Sequence, residues 1–318
     1  MAATGAPGGP GGPPRPGAPA EGVPCWVDVQ LPDIAAGRRF YGDLFGWTFH
    51  PSPAADPARL VQAYSGSPAG PVGRLVAALA AKPDGRLPTV WTVHLATPDA
   101  AATARRIQAA GGTVISTPAP LGTLGTAALA ADPEGAVFGL WQPGDSPGFE
   151  LRDAPGSFTW TEVHSRDRNT VDPFYARVFG YGAHDLPPGS EAWPTQAARP
   201  AQQTADEAEL EDWESEGGAA EEPPPAVPGR RLWSPAGAPP GPATAVAGRS
   251  LGPGAFPAEM PPHFLVHFAV ADCDTAAARV TALGGRVQAP PADTPYGRTA
   301  VVVDNQGAAF ALRSRANG

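Results

Sequence analysis

Apolar and polar residues alternate in short runs along this chain, and four of the runs stop at an aspartate. WVDVQLPD (26–33), WTVHLATPD (91–99), WTEVHSRD (160–167) and FLVHFAVAD (264–272) each carry the period of two expected of a strand with one covered face. Behind the aspartate the period becomes helical. Ile34, Tyr41, Leu44 and Phe45 share a face after Asp33, and Ala100, Ala104 and Ile107 share one after Asp99. The aspartate can cap the first turn, and Gly46 or Gly111 can end the helix in the left-handed conformation. Strand-like runs follow: TVIST (113–117) and GAVFGLWQ (135–142), then GRVQAP (285–290), TAVVVD (299–304) and AAFALRS (308–314). The pattern predicts an α+β protein of four βαβββ units.

The units repeat in pairs. Trp26 and Trp160, Asp28 and Glu162, Asp33 and Asp167, Phe40-Tyr41 and Phe174-Tyr175, Phe45-Gly46 and Phe179-Gly180 are all separated by 134 residues. VHLATPD (93–99) returns as VHFAVAD (266–272) at an offset of 173, and DPEGAVFGL (132–140) as DNQGAAFAL (304–312) at 172. Constant offsets over such stretches mark an internal duplication. The jump from 134 to about 173 requires extra residues inside the second copy, and a Pro-rich, acidic insertion at about 185–244 supplies them. Domain 1 is expected over 23–150 and domain 2 over 151–318, after a disordered Gly/Pro arm at 1–22.

The formal charge is −9, yet residues 205–222 hold nine of the 31 acids, leaving 22 against 22 Lys and Arg. A neutral body offers no electrostatic footprint for nucleic acid. No apolar run is long enough to span a bilayer. Two cysteines, Cys25 and Cys273, are too few for a disulfide framework. A cytoplasmic protein without nucleic-acid or membrane partners, monomeric or homodimeric, is the expectation.

Four such units, the FYGDLFGW (40–47) and FYARVFGY (174–181) phrases and the closing DPEG and DNQG turns resemble the vicinal oxygen chelate superfamily, which unites glyoxalases, bleomycin-resistance proteins and dioxygenases. The PCW opening and APPADTPYGRTAVVVDNQGAAFAL (289–312) are similar to its tandem actinobacterial members. The resemblance implies two glyoxalase-like cupped mixed sheets whose concave faces hold a small molecule, often around a divalent metal. It also implies where metal ligands would stand: seven residues before each capping Asp, and on each last strand. Those positions hold Trp26, Thr92, Trp160 and Leu265, with Gly139 and Ala311 on the last strands, so the usual chelate is missing.

Five residues before the capping Asp stand Asp28, His94, Glu162 and His267, and His164 lies three before Asp167. Alternation turns these to the same face as Trp26 and Trp160. Glu162, His164 and His267 compose a two-His, one-carboxylate set suited to Fe, Zn or Mn, the alternative being a hydrogen-bonded polar floor with no cofactor. Trp26 and Trp160 offer flat apolar surfaces, or plugs, and Tyr296 with Arg298 in PYGR can bind a ligand carboxylate or lie at the surface. His50, His184 and His263 read as surface residues. The preferred reading is a protein that binds a small, partly aromatic organic ligand in one or both cups without the usual chelate. The alternatives are a metal-dependent lyase, isomerase or dioxygenase in domain 2, and an assembly role with vestigial cups.

Overall fold

The computed structural model describes residues 19–52, 59–66, 73–85, 88–186, 229–251, 260–294 and 296–315. Unit one is β1 (Pro24–Leu31), α1 (Ile34–Phe45), β2 (Thr48–Pro51), β3 (Leu60–Ser65) and β4 (Arg74–Ala81). Unit two is β5 (Trp91–Ala96), α2 (Ala100–Ala109), β6 (Thr113–Leu121), β7 (Gly125–Ala131) and β8 (Val137–Pro143). Unit three is β9 (Phe158–Ser165), α3 (Arg168–Phe179), β10 (Gly182–Asp185), β11 (Arg230–Ser234) and β12 (Ala247–Leu251). Unit four is β13 (His263–Ala269), α4 (Cys273–Ala282), β14 (Arg286–Thr294), β15 (Gly297–Val303) and β16 (Ala309–Ser314).

The helices begin where their caps dictate. Asp33, Asp99, Asp167 and Asp272 accept the backbone N–H of Ala36, Ala102, Asn169 and Thr275 at 2.7–3.0 Å. Gly46 and Gly180 close α1 and α3 at φ 71° and 68°, a left-handed turn that glycine enters without steric cost. Two eight-stranded mixed sheets result, in the orders β2-β3-β4-β1-β5-β8-β7-β6 and β10-β11-β12-β9-β13-β16-β15-β14. In each, the first strands of two units pair antiparallel at the centre, β1 with β5 and β9 with β13. No helix among the described residues is long and apolar enough to cross a membrane.

Two boundaries differ from the sequence reading. Residues 19–22 belong to the folded body: Gly22 N–H donates to the Ala96 carbonyl at 2.8 Å, because the end of β5 gives the chain ahead of β1 a strand to pair with. β11 lies inside the stretch read as insertion, hidden by its Pro-rich surroundings. Arg231 ties it to β10 through Asp185 (2.6 and 2.7 Å), and Leu232 and Trp233 are buried. The acidic run 205–222 and residues 1–18 lie outside the described residues.

The helix-bearing faces of the sheets share one apolar core. The doubled aromatic phrase does more there than seat each helix on its own sheet. Phe45 and Trp47 pack on Phe268 of the second sheet at 5.2 and 5.7 Å, and Phe179 packs on Phe138 of the first at 6.0 Å. Hydrogen bonds repeat the exchange with two-fold pseudosymmetry. Tyr41 donates to Asp304 at 2.7 Å, and Tyr175 to Asp132 at 3.2 Å. Trp47 Nε1 donates to the Gly156 carbonyl at 2.7 Å, and Tyr181 donates to that of Gly22. Gln306 accepts the N–H of Asp33 at 2.8 Å, and Glu134 that of Asp167 at 2.8 Å. Each domain's helix start is held by the other domain's closing turn.

Candidate functional site

With the core on one face, the other face of each sheet is left to the residues between. In the first sheet Val27, Val29 and Leu31 point to the core, and Trp26, Asp28 and Gln30 point away. Register aligns Trp26 with His94, and His94 with Gly139 on β8. Asp28 aligns with Thr92 on one side and Ala78 on the other. His94 Nε2 lies 2.7 Å from Asp28 Oδ2, so a neutral imidazole donating there keeps its lone pair on Nδ1. His94 is buried, but 22% of the Asp28 side chain reaches solvent. Oδ1 of Asp28 makes no hydrogen bond with the described residues.

Gly139 makes this arrangement possible. A Cβ there would stand 2.0 Å from His94 Nδ1, so the imidazole occupies the space that a side chain on β8 would fill. Gly139→Ala should therefore push His94 off Asp28 and cost about 1–3 kcal/mol of stability. A shifted His94 ring signal in imidazole-detected NMR, with a lower urea midpoint, checks it. Trp26 is half-buried and tilted against Phe149 at 5.9 Å. Beside it Ala96, Trp141, Leu121, Leu124 and Ala127 complete an apolar wall.

The second sheet has the same rows with different contents. Trp160 aligns with His267 and Ala311, Glu162 with Leu265 and Gly248, and His164 with His263 and Ser250. Glu162 Oε1 lies 3.0 Å from His164 Nε2 and 3.8 Å from His267 Nε2. Burial opposes ionisation of this carboxyl, but the His164 charge and hydrogen bond, with His267 and Arg230, hold its pKa well below the usual carboxylate range. Burial pushes the His267 imidazole down. His263 is half-buried and stacked on His164 at 5.0 Å, correcting its reading as a surface residue. Trp160 is enclosed, forming a cluster with Leu232, Leu186, Ala245 and Tyr296. Trp26 stays partly open, so the two tryptophans differ in exposure.

Arg298 is not in the cup. It lies on the helix side of β15, where Asp274 takes two of its donors and Asp293 a third at 3.0 Å. An arginine that does face the cup is Arg313, which the sequence reading passed over. Its Nε and Nη2 donate to the Tyr296 carbonyl at 3.0 and 2.7 Å, and its guanidinium lies 5.6 Å from the Tyr296 ring. Alternation from Ala311 was the signal available, since Arg313 is the next residue on the same face.

The positions that hold the metal in the family, here Trp26, Thr92, Gly139, Trp160, Leu265 and Ala311, do not supply the usual donors for the divalent metal it implies. In the first cup Gly139 is covered by His94. In the second, the carboxylate oxygen nearest the imidazoles is already hydrogen-bonded to His164. Among the described residues no group of three or more His, Cys, Asp or Glu side chains is placed to hold a metal ion.

Two cupped mixed sheets, each built from a pair of βαβββ units and each with a polar pair at its centre, define a glyoxalase-like protein. The chain belongs to the vicinal oxygen chelate superfamily, and the family described as Glyoxalase-like domain matches its residues 26–141. It is 33% identical over 305 residues to the anthracycline biosynthesis proteins DauV of Streptomyces sp. (strain C5) and DnrV of Streptomyces peucetius, covering 92% of this chain and 93% of each relative. Its fold is similar to the Mn(II)-bound glyoxalase from Novosphingobium aromaticivorans, with TM-score 0.54, 15% identity and coverage of 94% of this chain and 83% of that one. It is also similar to the 2,3-dioxygenase LapB from Pseudomonas sp. KL28, with TM-score 0.54, 12% identity and 94% of both chains covered.

Proposed function

We propose that the first cup binds a planar aromatic organic molecule, stacked on Trp26 and hydrogen-bonded to Asp28, with His94 orienting the carboxylate. The observation that carries this reading is the pairing of a half-open indole with a carboxylate that has one oxygen on His94 and the other without a hydrogen bond among the described residues. Small residues beside them, Ala78, Ala96 and Ala127, leave a flat molecule room to lie against the sheet. The relatives named for anthracycline biosynthesis support the same ligand class, since anthracyclines are planar fused-ring quinones. The Asp28 carboxylate, backed by an imidazole, can also accept a proton from a hydroxyl or an acidic C–H of the ligand, which makes proton transfer the chemistry this cup performs with its own residues.

Titration with a hydroxylated anthraquinone, followed by tryptophan fluorescence, tests the reading. Saturable quenching is expected. Trp26→Leu should weaken binding about tenfold, in line with about 1.4 kcal/mol for a stacked aromatic, and Asp28→Asn should weaken it further. Trp160→Leu should leave the affinity unchanged. Quenching that does not saturate, or that persists at the same affinity in Trp26→Leu, would refute the reading.

A further inference from the structure

The second cup holds a cation that the first does not. Arg313 stands on β16 where β8 carries Trp141, and the residue is only 6% exposed. A guanidinium taken out of water is normally matched by a carboxylate, because burying an unpaired charge is costly. Among the described residues Arg313 has no such match: its hydrogen bonds go to the Tyr296 carbonyl, and no described carboxylate lies within 4.0 Å of it. The nearest acidic influence is Asp153, whose own side chain accepts from Thr159 at 2.9 Å. Burial accordingly pulls the guanidinium down to about 10. His267, the neighbouring base, feels Arg313 as a positive charge.

A second observation concerns acceptor and donor atoms. Thr299 lies directly opposite Arg313 in the β15–β16 ladder, and its Oγ1 is buried without a hydrogen-bond partner among the described residues. Glu162 Oε2, on the floor of the same cup, is also buried and without a hydrogen-bond partner among the described residues. Buried polar atoms are normally satisfied, and the Thr299 hydroxyl directly opposite an unmatched guanidinium marks a place built for something that brings its own acceptors. The walls are Trp160, Leu232 and Tyr296, which are apolar and aromatic.

We propose that the second cup is a site for a small aromatic carboxylate, whose acid group is received by Arg313 and Thr299 and whose ring lies among Trp160, Leu232 and Tyr296. One arginine and one hydroxyl suit a single negative charge, and Glu162 on the floor disfavours a dianion. The two cups then differ in ligand charge: the first, with Trp141 and the Asp28 carboxylate, takes a neutral molecule with a hydroxyl, and the second takes an acid. This site is independent of the reading given for the first cup.

Benzoate and its neutral isostere benzamide, titrated calorimetrically into the full-length protein, test it. Benzoate should bind at least about tenfold more tightly than benzamide, since a buried charged hydrogen-bond pair contributes about 1.5–3 kcal/mol. Arg313→Met should abolish the preference. Thr299→Val, which keeps volume and charge, should weaken benzoate severalfold and leave benzamide unaffected. Arg298→Met, on the opposite face of β15, should bind as the wild type does. The proposal is overturned if benzoate and benzamide bind alike, if neither binds at about 10 mM, or if Thr299→Val and Arg313→Met retain wild-type benzoate affinity. Should Arg313→Met not fold, Thr299→Val together with the benzamide comparison decides the matter.

Discussion

Asp304→Ala should lower the unfolding free energy by about 3–5 kcal/mol, read as a fall in urea midpoint at unchanged slope. Asp304 is buried and serves three donors. Oδ1 accepts the N–H groups of Gln306 and Ala308, each at 2.8 Å, which shapes the closing turn of the second sheet. Oδ2 accepts from Tyr41 at 2.7 Å, across the interface between the domains, and Tyr41 in turn receives Trp91 Nε1 at 3.1 Å. Removing the carboxylate strands donors in the dry core, each costing about 1–3 kcal/mol before relaxation. Asp304→Asn keeps one acceptor and should cost about 1 kcal/mol. A double-mutant cycle with Tyr41→Phe separates turn from interface: a coupling of about 1 kcal/mol is expected, and strict additivity would show that Tyr41 does not hold the domains together.

Asp132→Asn should stabilise the protein at pH 7 by up to about 3 kcal/mol and have no effect near pH 4. Asp132 is the pseudosymmetric partner of Asp304, accepting from Glu134 and Ala136 at 2.9 Å and from Tyr175 at 3.2 Å. Burial outweighs these bonds and raises its carboxyl from 3.8 to about 6. The folded state thus holds this proton more tightly than the unfolded chain does. Its contribution to stability is greatest below pH 4, declines as pH rises to about 6, and is level above that. Glu162 has the opposite sign: its lowered pKa gives stability above the ordinary glutamate range that is lost on acidification. The difference between wild type and Asp132→Asn across pH 4 to 7.5 isolates the first effect. A difference that does not change with pH would mean that Asp132 ionises freely in the folded protein.

Four strands ending in capping aspartates, four helices and two duplicated domains were legible in the sequence because strand period, cap and left-handed glycine are all local. A carboxylate at one place and a capping residue five positions later are tied by backbone geometry alone. For the same reason Trp160, Glu162 and His164 could be assigned to one face of β9 from spacing. Local pattern could not say which Asp receives Tyr41, since that partner is 263 residues away and in the other domain. Nor could it tell Arg298 from Arg313. They sit on adjoining strands that pair antiparallel, Thr299 opposite Arg313, so one faces the helices and the other the cup. Register shifts along the neighbouring β14–β15 pair break the simple count by twos in that region. The exposure of Trp26, the enclosure of Trp160 and the fit of His94 over Gly139 were likewise decided by packing between strands that the chain brings together only on folding. Sequence determined the units and the side of the sheet each residue takes, because both follow from backbone geometry within a few residues. Tertiary structure decided what each side chain meets there, because burial and partnership depend on distant segments competing for the same space.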